Sequence, residues 1–133
     1  MAGPPKTLAG AAHQVTQEQL VQYADASGDH NPLHVDAAFA AGTPYGRTIA
    51  HGMLVLAFLS AMLTHNFGMR WLTGGRLRVR FRAPVHPGDA VRSDGRLRAA
   101  PADAQEITYD VACWNQDGVQ VISGEATIPQ ALL

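Results

Sequence analysis

The sequence predicts an α+β fold in which an antiparallel sheet curls around one buried helix. Three observations carry that expectation. Residues from 51 to about 67 are apolar on nearly every helical face, through Met53, Leu54, Val55, Leu56, Phe58, Leu59, Met62 and Leu63; such a helix has to be wrapped rather than laid on a surface. The hydrophobic period then changes from 3.6 to 2 and stays there through the second half of the chain, the pattern of half-buried strands. Finally, 133 residues with 47% hydrophobic and 16% charged side chains suffice for one domain with its own core.

Taken in order, residues 1–10 hold two prolines, one lysine and no apolar run. They read as a flexible lead to a single domain over 11–133, and not as a secretory signal. Residues 11–15 suit a short strand. Thr16 and Gln19 have capping-box spacing for a helix that carries Leu20, Val21, Tyr23 and Ala24 on one face and ends near Ser27 and Gly28. A polar stretch follows over 28–36, then a short helix over 37–41 and a Gly- and Pro-containing loop over 42–46. After the long helix, Leu77, Val79 and Phe81 alternate with Arg76, Arg78, Arg80 and Arg82. Residues 84–89 form a loop. Val91, Ser93, Gly95 and Leu97 then alternate with Arg92, Asp94, Arg96 and Arg98. Strands over 107–114 and 119–128 meet at Asp117-Gly118, a type I′ hairpin signal.

Composition excludes some partners. A net charge of -1 favours neither nucleic acid nor an anionic membrane. The apolar run over 53–63 spans 11 positions, short of the ~18 or more of a membrane-spanning helix. Cys113 is the one cysteine and cannot form an internal disulfide, so a reducing, cytoplasmic setting is expected.

The chemistry concentrates in the polar stretch. Gly28 permits a sharp exit from the first helix, and Pro32 keeps Asn31 out of the α region. Asp29 and His34 are thereby held in a defined turn, and a carboxylate beside an imidazole can position a water and move its protons. A turn-stabilising pair without chemistry is the plainer alternative. His30, His34, Asp29 and Asp36 have no familiar zinc spacing such as H-E-x-x-H, so no metal is expected.

The run Gly28-Asp29-His30-Asn31-Pro32-Leu33-His34-Val35-Asp36 resembles the hydratase-2 motif of the MaoC-like (R)-specific enoyl-thioester hydratases. Ala50-His51-Gly52-Met53-Leu54 is similar to the start of that family's central helix, and the likeness extends over nearly the whole chain from about Gln14. It implies a single hot-dog fold, a homodimer with sites near the subunit interface, and reversible syn addition of water to a trans-2-enoyl thioester, giving the (R)-3-hydroxyacyl product. It also implies the general-base carboxylate at Asp29, its imidazole partner at His34, and an oxyanion donor at the backbone N–H of Gly52. Such a donor fits the free N–H groups and dipole of a helix N-terminus.

By the same likeness Asn31 orients the dyad or the water, Ser60 matches a serine of bacterial members, and His51 lines the site wall. No cofactor is implied. Coenzyme A or an acyl carrier protein brings the thioester as substrate. One rival is a thioesterase, which would want a carboxylate on the central helix, where 53–63 has none. The other is an acyl-thioester-binding or catalytic subunit of a heterodimeric 3-hydroxyacyl-carrier-protein dehydratase. The row Arg76, Arg78, Arg80 and Arg82 reads as a solvated sheet face partly balanced by Asp94. The sharper alternative is a landing surface for the phosphates of coenzyme A or a carrier-protein arm.

Overall fold

A computed structural model describes residues 3–98 and 101–131; the outermost positions of the expected lead and domain, 1, 2, 132 and 133, lie outside them. The elements are β1 (Thr7–Ala9), β2 (His13–Gln14), α1 (Gln17–Ser27), α2 (Pro32–Val35), α3 (Ala37–Ala41), α4 (Gly52–Phe67), α5 (Met69–Gly74), β3 (Arg76–Phe81), β4 (Ala90–Leu97), β5 (Glu106–Trp114) and β6 (Gln120–Pro129). The strands form one antiparallel sheet in the order β1-β4-β5-β6-β3, and β2 pairs with β4 to the side. No helix among the described residues is long and apolar enough to cross a membrane.

The capping box forms as its spacing predicts. The Thr16 hydroxyl accepts from the Gln19 N–H, the Gln19 side chain accepts from the Thr16 N–H, and Gly28 closes α1 in the left-handed region at φ 80°. The core lies between α4 and the sheet. Val55, Leu59, Leu63 and Phe67 recur at helical spacing and pack with Val91, Ile107, Tyr109, Val111, Val121 and Ile128. Cys113 is buried among them, and burial pushes its thiol above the ordinary value.

The sheet curls around one face of α4, as the expected fold requires, and leaves Met53 58% exposed and Leu54, Leu56 and Phe58 part-buried. Three expectations need correction. The lead over 1–10 is not loose throughout: β1 pairs with β4, and the Tyr109 hydroxyl donates to the Pro5 carbonyl at 2.6 Å. The β5–β6 hairpin is real, but its turn is not type I′. Only Gly118 takes a positive φ there, and the Gly118 N–H bonds back to the Asn115 carbonyl. Asp117 thus avoids the left-handed region that type I′ would impose on it, at the cost of a register shift between Cys113 and Trp114. Finally, Asp94 is engaged by Arg92 of its own strand at 3.0 Å, so it does not balance the arginines of β3.

Candidate active site

The polar stretch after α1 is built from local hydrogen bonds. Asn31 stands at φ -54°, ψ 127°, outside the α region as Pro32 requires, and its side chain accepts from the Leu33 N–H. Asn31 therefore caps α2, with Pro32 at the first helical position. The Asn-Pro pair thus starts a short helix inside the stretch over 28–36 that the sequence reads as a turn. Asn31 acts on the site through the helix that carries His34. The Asp29 carboxylate accepts from the Asn31 N–H, which fixes one of its oxygens.

His34 is tied to a second segment. Its Nδ1 lies 2.7 Å from the Ile49 carbonyl. A carbonyl only accepts, so Nδ1 carries the proton and a neutral ring presents the lone pair of Nε2. Nε2 faces the Asp29 carboxylate at 3.9 Å. That gap is too long for a direct hydrogen bond and short enough for one water to bond both atoms. The Ile49 N–H donates to the Leu33 carbonyl, Gln17 donates to the His34 carbonyl, and the Thr48 hydroxyl donates to Gln17. No side-chain motif announces the Ile49 carbonyl, and sequence reasoning missed it together with Gln17 and Thr48.

His51 joins the two segments. It is 2% exposed, its ring stacks on His34 with centroids 3.8 Å apart, and its Nε2 donates to the Asp29 carbonyl at 3.0 Å. Its Nδ1 is buried without a hydrogen-bond partner. Asp29, His34 and His51 bring one donor atom each to within 4.8 Å of one another. Of the other residues weighed as metal ligands, His30 turns to Asp25 at 3.0 Å, which raises its pKa, and Asp36 caps α3.

Beside the dyad opens a cavity of about 310 Å³, lined by His34, Gly52, Val55, Phe81, Val121 and Ile122 among others. Asp29 stands outside that lining and is half-exposed. Gly52 begins α4: the Leu54 and Val55 N–H groups turn back to the His51 carbonyl, and the Gly52 N–H, ahead of them, has no intrahelical carbonyl to reach. A Cβ at Gly52 would come within 2.9 Å of the Phe81 ring, so a side chain there would have to push that half-exposed ring aside. Ser60 is not brought to this cavity: its hydroxyl accepts from the Trp71 indole at 3.1 Å, tying α4 to α5.

Residues 4–111 match the MaoC like domain. The 3-hydroxyacyl-thioester dehydratase Z of Mycobacterium tuberculosis is 40% identical over 87 residues, which cover 62% of this chain and 58% of that protein. The (R)-specific enoyl-CoA hydratase of Aeromonas caviae is 32% identical over 110 residues, covering 83% of this chain and 82% of that protein. The solved structure of the (R)-hydratase from A. caviae, involved in PHA biosynthesis, superposes with a TM-score of 0.83 at 27% identity, covering 98% of both chains.

Proposed function

The chain belongs to the MaoC-like domain family, and from that premise we propose that it is a hydro-lyase adding water reversibly to trans-2-enoyl thioesters, coenzyme A thioesters first, to give (R)-3-hydroxyacyl thioesters. The observation that carries the reading is the pair of acceptors at the cavity's edge, the Asp29 carboxylate and His34 Nε2, 3.9 Å apart. A water between them donates one hydrogen bond to each, which leaves an oxygen lone pair free to attack Cβ of the enoyl group. The attack pushes charge onto the thioester oxygen, which the Gly52 N–H and the N-terminal end of α4 would stabilise. One proton passes from the water to the dyad and one from the dyad to Cα, on the same face. If His34 takes the proton, its imidazolium is supported from behind by the Ile49 carbonyl.

In this reading the thioester acidifies Cα and the helix end holds the charge, so neither metal nor redox cofactor has a step to perform. The apolar lining of Val55, Val121 and Ile122 suits the acyl chain. The absence of Asp or Glu from α4 speaks against the thioesterase alternative. Purified protein is expected to bleach the ultraviolet absorbance of a short or medium trans-2-enoyl-CoA, with the product oxidised by an (R)-specific dehydrogenase. Prolonged chelator treatment is expected to leave that rate unchanged. A product taken only by an (S)-specific dehydrogenase would overturn the reading, and a chelated enzyme restored by zinc or iron would overturn its metal-free chemistry.

A further inference from the structure

The arginines of β3 do not share one fate. Arg76 is held by Glu106 through two contacts of 2.8 and 2.9 Å, and Arg98, just past β4, is shared by Asp110 and Glu125 at 2.6 and 2.9 Å. Arg78, Arg80 and Arg82 have no carboxylate within ion-pair distance among the described residues and all three are exposed; the strand's period puts Arg78 and Arg80 on one face, and Arg82 follows just past the end of β3. Three like charges in a row on an edge strand repel one another unless an anion lies among them. They border a groove of about 410 Å³ whose floor includes Ser123 and Gly124 of β6. A Cβ at Gly124 would lie 2.1 Å from the Arg78 carbonyl, so glycine is what lets β6 close up under the row. Arg82 lines both this groove and the cavity beside the dyad, and its guanidinium donates to the Ser123 hydroxyl.

From this continuity we infer that Arg78, Arg80 and Arg82 form a phosphate-binding track for the coenzyme A portion of the substrate, an inference that rests on the thioester reading of the cavity. With the thioester at Gly52, the rest of the molecule leaves past Arg82 and meets Arg80 and then Arg78. Alternate residues of a strand stand roughly 6.6 Å apart, so the row extends over roughly 13 Å. Guanidinium forks spaced in this way can grip several phosphate groups, each by paired hydrogen bonds. The glutamate and aspartate in the groove do not cancel the track, because both are held by Arg98.

The test compares kcat/KM for a trans-2-enoyl-CoA with that for the same acyl group on N-acetylcysteamine, which has the thioester and no phosphate. In Arg78→Gln/Arg80→Gln the ratio of the two is expected to fall about tenfold or more, carried by KM, each tenfold being ~1.4 kcal/mol of lost contact. Adenosine 3′,5′-bisphosphate, measured by calorimetry without turnover, is expected to bind the wild type and to weaken in the variant and in high salt. An unchanged ratio, equal loss on both thioesters, or bisphosphate binding indifferent to the substitutions would overturn the track. So would a wild type that ignores the bisphosphate and prefers the enoyl group on a carrier protein. Arginine-dependent binding of the bisphosphate by a protein that hydrates neither thioester would sink the hydratase reading and leave the track standing.

Discussion

The Ile49 carbonyl decides what His34 can do, because it accepts the Nδ1–H hydrogen bond and so turns Nε2 toward Asp29. In the proposed reaction the two acceptors share one water, which would make each of them necessary. Asp29→Asn and His34→Ala are each expected to lower turnover by about 10²–10⁴-fold; circular dichroism should stay native, since both sit outside the core. Wild-type rates in either variant would remove that residue from the chemistry. His51 positions both partners, by stacking on one and donating to the other's backbone. His51→Phe keeps a ring for the stack and loses the N–H, so kcat is expected to fall about tenfold or more with KM nearly unchanged, as for a small misplacement of the reacting groups. A fall in KM-limited rates alone would point to a pocket-wall role instead. Asp29, His34 and Gly52 could be nominated as candidates from the sequence because their side chains, or lack of one, carry the pattern. The Ile49 carbonyl was not, since every residue has one and only the fold aims it.

Among the elements, α1 sets the approach to the dyad: its capping box opens it, its left-handed Gly28 ends it, and Gln17 within it braces both His34 and Thr48. Thr16→Ala removes the cap and is expected to cost about 1 kcal/mol in denaturant unfolding, with the slope of the transition unchanged; a stability equal to wild type would mean that packing alone holds the helix start. Period and caps made α1, α3, α4 and the four long strands readable beforehand. The short α2 and α5 escaped for different reasons: the Asn31-Pro32 start of α2 was overlooked inside a polar stretch, and α5 opens at Gly68 with no side-chain cap to mark it. The hairpin at Asp117-Gly118 was read from a dipeptide that also suits a longer loop, and Asn115 made the difference by accepting from the Asp117 and Val119 N–H groups.

For the molecule as a whole, the surface left uncovered points to assembly. Among the described residues β3 pairs only with β6, which leaves its other edge open; Tyr45 and Phe81, which line the cavity, are 47% and 55% exposed, and Met53 in the first turn of α4 is 58% exposed. Two copies joined about a twofold axis would cover such surface on both at once. A homodimer is the expected state in solution, with specific activity falling on dilution below its dissociation constant. A monomer mass by light scattering with full activity at those concentrations would exclude it, and rescue of an inactive homodimer by a second, motif-poor subunit would favour a heterodimer. The pairing of β3 with β6 has one more consequence, for folding kinetics. The cavity draws His34 from early in the chain, Phe81 from the end of β3, and Val121 and Ile122 from β6, so no consecutive stretch contains it. Contacts this distant along the chain form only after long loops have closed. During refolding the helices can return early, but the place where an acyl chain would sit does not exist until the last strand has docked, and catalysis should recover in that slowest phase.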